Sequence, residues 1–469
     1  MKKKVLIEYG IIIFLLTISA GVIFNNLGSS TFFDWDEARH GENSLEILKT
    51  NDWIVLKYGG QPDFYNLKPP LGAWLIAFSF SIFGVDEFAL RFWSAIFGVG
   101  TILLVYLFGS EIENKCMGIY SAIFLLTIGG FIGYHGARTG DYDVMVTFFI
   151  TLSLYFFYRS QMREKRIFLI GASISMALAV MVKGVIGLFP AMIILIFLFF
   201  FRSLRRNILT RETGYAIFSF SILVFPWFIY RFFKGKDFFS ILLEYDLLKR
   251  IGEPIEGHVG SWSFYFLVLN QVFGEILFIL ILVIFIYSVI LMSRKNRPVS
   301  FLVIWIFLVM LIFTVAKTKI FWYIIPLYPA ISLLIGYHIN NLQQHFKIEK
   351  TKFMGMFLIV MIIPFFSILT ITQSVVVEPY QMSIKDLKPE LSKYNVVYIH
   401  SDENRQSGFL YLNSYVKKNV NVYNDLKNIS ANSGDGIITF NSERYNYLAN
   451  SKDYELVKSN KFVALFKKI

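Results

Sequence analysis

The 469 residues are 55% hydrophobic and 18% aromatic, and only 17% are charged, where a soluble domain carries about a quarter; this excludes an ordinary water-soluble enzyme. Lys and Arg number 45 against 33 Asp and Glu, a net charge of +12, which beside long apolar runs reads as loop charge orienting a membrane chain rather than as a nucleic-acid surface. The single cysteine, Cys116, excludes an internal disulfide and a Cys-based zinc site.

The chain opens MKKK and runs apolar from Val5 to Leu27. That is long for the core of a signal peptide, and no small-x-small cleavage site follows, so the spacing predicts an uncleaved first helix with its lysines in the cytoplasm. Further apolar stretches of near-spanning length lie at 90–109, 117–134, 143–158, 167–182, 184–201, 215–230, 264–291, 299–316, 320–340 and 353–373, giving about 11 spans. Basic clusters at Arg159–Arg166, Arg202–Arg206, Arg294–Arg297 and Lys347–Lys352 belong with the N-terminus on the cytoplasmic side. Residues 71–84 (LGAWLIAFSFSIFG) are apolar but too short to cross. If they crossed, every later helix would reverse and the arginine clusters would face outward. They are therefore predicted to form a surface or re-entrant helix in the outer leaflet.

This parity sends to the outer face the loop of 28–89, the segment His135–Asp143, the turn Lys183–Gly184, the loop of 231–262, the segment Lys317–Tyr323 and the tail from 375 to 469. In the tail, VVYIH (396–400), VNVY (420–423), GIITF (436–440) and FVALF (462–466) read as strands, with helical stretches at 404–416 and 441–449. The predicted fold is an α-helical polytopic membrane domain, 1–374, with its first outward loop at 28–89, followed by a small extracytoplasmic α/β domain, 375–469. No internal repeat is evident.

The outward loop begins with Asp34, Trp35, Asp36, Glu37, Arg39 and His40. Ionisable groups packed at a membrane surface are costly and tend to serve function, although a solvated loop is the plain alternative. Lys68 precedes Pro69 and Pro70, which fix the backbone at the start of the short helix; its ammonium either snorkels or meets an anion. The second acidic segment holds Arg138, Asp141 and Asp143; Asp143 suits helix capping as well as chemistry. Two acidic clusters thus fall on one face together with two cations. A sugar carried on a lipid phosphate needs this set: cations stabilise the phosphate as the glycosidic bond breaks, and a carboxylate orients or deprotonates an acceptor hydroxyl.

At these residues the chain resembles the membrane glycosyltransferases of the GT-C class, in the branch of the lipid A aminoarabinose transferases and protein O-mannosyltransferases. The matching stretches are DWDEARHGE (34–42), the run of 51–98 containing LKPPLGAWL, ARTGDYDVMVTFF (137–149), KGVIGLFP (183–190) and KTKIFWYIIPLYPAISLLIG (317–336). The resemblance implies a membrane enzyme, and the short first loop without a large lumenal insertion points to a bacterial plasma membrane. It would take sugar from an undecaprenyl-phosphate donor with inversion and pass it to a lipid, glycan or protein hydroxyl. It also implies that Asp36, accompanied by Glu37, and Asp143 are the catalytic acids, with Asp141 a neighbour, and that Arg39 and Lys68 hold the phosphate. Tyr65, Arg138, His258, Lys317 and Tyr323 are expected to line the substrate path. Lys317 and Tyr323, with Lys319, serve equally as membrane-edge anchors, and Lys183 equally snorkels. Leu67 stands where some relatives carry an acidic metal ligand. No metal is therefore expected to be required, although His258 with His40 or His135 offers a possible divalent site. A lipid transporter or flippase is the competing reading, which the lack of an inverted repeat disfavours.

Overall fold

The computed structural model describes residues 2–63, 66–208, 210–234, 238–425 and 429–469. They form two compact units. One comprises residues 1–25, 67–72 and 94–374; the other comprises 26–66, 73–93 and 375–469.

The first unit is helical. A chain in lipid must satisfy its backbone within each helix, and among the described residues eight helical stretches are long and apolar enough to cross a membrane: Leu6–Phe24, Glu87–Ile112, Phe168–Phe200, Arg211–Lys234, Glu275–Ser293, Arg297–Val315, Phe321–His345 and Lys350–Gln373. Four differences separate these from the eleven predicted runs. The run 264–291 is two helices, Phe264–Phe273 and Glu275–Ser293, that meet at Gly274 with φ +74°, a left-handed turn that glycine makes without steric cost. The run 117–134 becomes Lys115–Leu126 followed by the single turn Gly129–Ile132. Asp143–Met162 has 20 residues but carries Asp143, Thr147, Thr151, Arg159 and Gln161. The stretch Phe168–Phe200 breaks at Lys183–Gly184: Gly184 has φ +62°, and a 3₁₀ turn covers Gly184–Leu188. Gly187 there lies so close to the preceding helix that a Cβ would stand 2.2 Å from the Val180 nitrogen.

Side chains show which helix ends share a face. Arg138 donates to the carbonyls of Ile23 (2.7 Å), Asn25 (2.6 Å) and Thr372 (3.2 Å), joining the ends of the first and last spans. At the other ends Lys115 pairs with Glu8 (2.9 Å), and Arg163 with Glu111 (2.5 Å). The short helix Leu71–Phe83 has 13 residues, a length of about 20 Å against the roughly 30 Å of a bilayer core. Gly72, at its start, packs on the Tyr142 ring so tightly that a Cβ would sit 2.5 Å away, and Ser94, after the chain has returned, donates to the Asp141 carbonyl (2.8 Å). Residues 72 and 94 thus meet adjacent positions, Tyr142 and Asp141.

The second unit is α/β. A hairpin, β1 (Lys57–Tyr58) and β2 (Gln61–Pro62), precedes a five-stranded sheet of β3 (Val396–His400), β4 (Asn419–Tyr423), β5 (Gly436–Thr439), β6 (Tyr454–Ser459) and β7 (Ala464–Lys468). The order is β4-β3-β5-β7-β6, with β3 parallel to β4 and β5, and β7 antiparallel to β5 and β6. Apolar alternation buries Tyr398, Ile437 and Phe466 with Leu448. The observed last strand begins two residues beyond the predicted one, and no predicted strand corresponds to β6.

Sequence reading placed the first loop with the membrane domain; the structure packs it into this unit. Thr31 donates its N–H to the Val376 carbonyl (3.0 Å), Gln381 reaches the Phe32 carbonyl (3.0 Å), and Lys385 pairs with Glu87 (2.5 Å). The helix Asp36–Thr50 carries Asp36 and Glu37 in its first turn and Lys49 in its last, which suits its dipole. Its inner face holds Glu42, fully buried, which accepts from Asn413 (2.5 Å) one turn before Glu46; Lys49 donates to the Asn413 Oδ1 (2.6 Å). Burial, then the charge of Glu46, pushes the Glu42 carboxyl well above its ordinary range. The native state therefore keeps a proton that the unfolded chain releases near pH 4.5, and stability falls as pH rises from there through the raised value. Thermal unfolding of the full chain between pH 5 and 8 should show this decline, at most about 1.4 kcal/mol per pH unit for one proton. Glu42→Gln should flatten it; an unchanged slope would assign the proton elsewhere.

Candidate active site

In the α/β unit, Asp36 begins its helix half-buried, directly after Trp35, whose φ is +69°. Glu37, expected among the catalytic acids, is enclosed instead. Its carboxylate takes a two-point ion pair from Arg91 (Nε to Oε1 2.7 Å, Nη2 to Oε2 2.9 Å) and accepts the Phe33 N–H (2.7 Å). Arg39, expected on the donor phosphate, pairs with both oxygens of Asp63 (2.9 and 2.6 Å) and lies over the Tyr58 ring. Burial alone would raise the Asp63 carboxyl; Arg39, Asn43 and the Asn66 N–H outweigh it and hold it below the usual range. Asn43 bridges Asp63 (2.9 Å), the Lys57 carbonyl (2.7 Å) and Asn66 (2.7 Å), so the backbone leading to Lys68 is fixed. Tyr65 lies outside the described residues.

In the helical unit, Lys68 stands over the Tyr142 ring, 5.7 Å from its centre. Asp143, buried, forms an ion pair with Lys183 (2.6 Å). Lys183 also faces the Tyr323 ring (5.8 Å), and the Tyr323 hydroxyl accepts from Arg250 (2.8 Å). Lys68, Asp143, Lys183, Tyr323 and Arg250 are thereby linked through neighbouring partners. Asp141 lies 2.8 Å from His135 Nδ1, and His135 stacks on Trp322 at 3.5 Å. His135 has φ +56°, an uncommon conformation for a residue with a side chain.

The remaining expected residues have backbone tasks. Arg138 ties helix ends, as above. Lys319 donates to the carbonyls of Phe313, Thr314 and Ala316 (2.9, 2.5 and 2.5 Å), capping the helix Arg297–Val315, where a cation is favourable. Lys317 is exposed and bonds through its backbone to Ile251, while the His258 carbonyl receives the Lys319 N–H. Sequence reasoning missed Asp63, Arg91 and Arg250. An acid and a cation with no partner yet in view, Glu37 and Arg39, were the available signal for the first two.

Fold and site together define a polytopic membrane protein with the GT-C fold. The family model described as dolichyl-phosphate-mannose-protein mannosyltransferase matches residues 67–230. An uncharacterized protein of Aquifex aeolicus is 29% identical over 73% of this chain and 64% of its own length. The undecaprenyl phosphate-alpha-4-amino-4-deoxy-L-arabinose arabinosyl transferase of Pseudomonas savastanoi pv. phaseolicola is 26% identical over 64% of this chain and 56% of its own length. The chain thus spans less than two thirds of the length of either relative. The crystal structure of ArnT from Cupriavidus metallidurans bound to undecaprenyl phosphate superimposes with a TM-score of 0.77 over 98% of both chains at 15% identity. The Archaeoglobus fulgidus oligosaccharyltransferase superimposes at 0.59, over 87% of this chain and 62% of that one, also at 15% identity. The chain is thus similar over part of its sequence to the mannosyltransferase family model and to the aminoarabinose transferases, and similar in fold to ArnT.

Proposed function

We propose that this protein is a glycosyltransferase of the bacterial plasma membrane that moves a monosaccharide from undecaprenyl phosphate to an acceptor hydroxyl on the outer face, with the N-terminus in the cytoplasm. The observation that carries this reading is the linked set of Lys68, Asp143, Lys183, Tyr323 and Arg250 within a fold shared with a protein solved on undecaprenyl phosphate. The acceptor oxygen attacks the anomeric carbon from the side opposite the phosphate. The bond from that carbon to the phosphate oxygen breaks, and its electron pair leaves with the polyprenyl phosphate. Lys68 balances the charge that grows there. The acceptor proton passes to a carboxylate; Asp36, at the head of its helix, is the choice because the resemblance puts the family's first-loop acid there. Lys183, 2.6 Å away, holds the Asp143 carboxyl in place.

The test is release of undecaprenyl phosphate by the purified protein from a panel of undecaprenyl-phosphate monosaccharides, offered with lipid A, glycan and serine-peptide acceptors. Release that depends on both sugar and acceptor supports the reading. Binding of the lipid with no release from any pair, together with movement of the lipid between leaflets in proteoliposomes, would replace it with transport. Lys68→Glu is expected to weaken donor binding at least about tenfold, the scale of one charge-assisted hydrogen bond; unchanged affinity would remove Lys68 from the phosphate site.

A further inference from the structure

Within the α/β unit, Trp35 combines two features that no packing role explains. Its backbone is left-handed, at φ +69° and ψ −119°, which for an aromatic residue is an outlier that persists only when the surroundings over-determine it. Its side chain is nevertheless 65% exposed, and no described residue stacks on the indole or accepts from its Nε1. The strain is held from the C-terminal part of the same unit. The Trp35 N–H donates to Gln406 Oε1 (2.9 Å), and its carbonyl accepts the Arg39 N–H (2.9 Å). On the preceding residue, the Asp34 carboxylate accepts both the N–H (2.9 Å) and the hydroxyl (2.6 Å) of the buried Ser407, and the Tyr380 hydroxyl at 3.4 Å. A membrane-edge anchor needs no particular backbone conformation. A rigid, outward-facing indole fixed one residue before Asp36 does.

We propose that Trp35 is a stacking platform for a pyranose ring, and that Asp34, Gln406 and Ser407 are the positioning residues that hold it; this rests on the glycosyl-transfer reading above. The apolar C–H face of a sugar packs on an indole as another ring does, and the polar edge stays free for Asp36 to orient a hydroxyl. The ring belongs either to the donor or to the acceptor, and the experiment separates the two.

Affinities for undecaprenyl phosphate and for its sugar-linked form are measured on the full chain, wild type and variant, together with the KM for whichever acceptor supports release. For a donor ring, Trp35→Ala should lose about tenfold of the preference for the sugar-linked lipid with bare-lipid affinity kept. For an acceptor ring, the acceptor KM should rise by a similar factor instead. Trp35→Phe should keep most of either effect. Gln406→Ala should reproduce part of the loss, and Gln406→Glu, which still accepts the Trp35 N–H, should restore it. Wild-type donor preference and acceptor KM in Trp35→Ala overturn the proposal. So does quenching by brominated lipids of the emission that wild type shows and Trp35→Phe lacks, which would make Trp35 an anchor. Failure of wild type to bind either lipid overturns instead the glycosyl-transfer reading, and is distinguishable because it precedes any effect of Trp35.

Discussion

Asp36→Asn is expected to bind donor lipid like wild type and to turn over about 10²- to 10⁴-fold more slowly, the usual contribution of a positioned acid–base group. The asparagine fills the same volume at the head of the helix Asp36–Thr50 and still accepts a hydrogen bond, so folding should survive; what it lacks is the negative charge that takes the acceptor proton. The measurement is single-turnover release of undecaprenyl phosphate beside equilibrium donor binding. Equal loss of binding and turnover would make Asp36 a donor ligand, and full activity would remove it from the chemistry. Asp143→Asn is the informative partner. It leaves the ammonium of Lys183, 2.6 Å away, without its counter-charge in a buried place, so both stability and activity should fall. For Asp36→Asn the larger effect is expected on activity.

Loss of Glu37 should be among the most damaging single changes to stability in the α/β unit. Glu37 and Arg91 are each 1% exposed in their side chains and meet at two points. Arg91 also donates to the carbonyls of Leu27, Ser30 and Thr31 (3.0, 2.8 and 2.9 Å). Removing one partner of such a pair strands a charge that water cannot reach, at about 3–5 kcal/mol, whereas removing both costs far less. Glu37→Leu should therefore lower the melting temperature of the detergent-solubilised protein sharply, and Glu37→Leu with Arg91→Met should recover much of the loss. A double variant no better than the single one would show that the carbonyl contacts of Arg91, rather than the ion pair, hold the loop.

These two acids stand side by side in sequence, and nothing local distinguishes them. DWDEAR marks a charged outward loop, and the resemblance marks it as catalytic. Which carboxylate is enclosed depends on Arg91, 54 residues onward. Arg39 is the same case: its planar fork suits a phosphate, and it suits Asp63 equally well. Arg138 lay in the expected acidic segment but closes helix ends 115 residues before and 234 after it. The pairing of Asp143 with Lys183 was half legible, since both residues were named at helix boundaries facing one way.

Residue order already carries the membrane class, the runs that become helices and the sheet-and-helix character of the tail. It also marked residues 71–84 as too short to cross. All of these follow from hydropathy, length and period, which are properties of contiguous residues. The tertiary structure alone decided that Asn26–Asn66 and Ala73–Trp93 group with Val375–Ile469. It also decided that Gly274 divides one apolar run, and that Glu37, Arg39 and Arg138 are already engaged by partners. The reason is physical: a buried charge must find its counter-charge or a carbonyl wherever the fold brings one within about 3 Å, and that choice is made by distances in space that residue order does not encode locally.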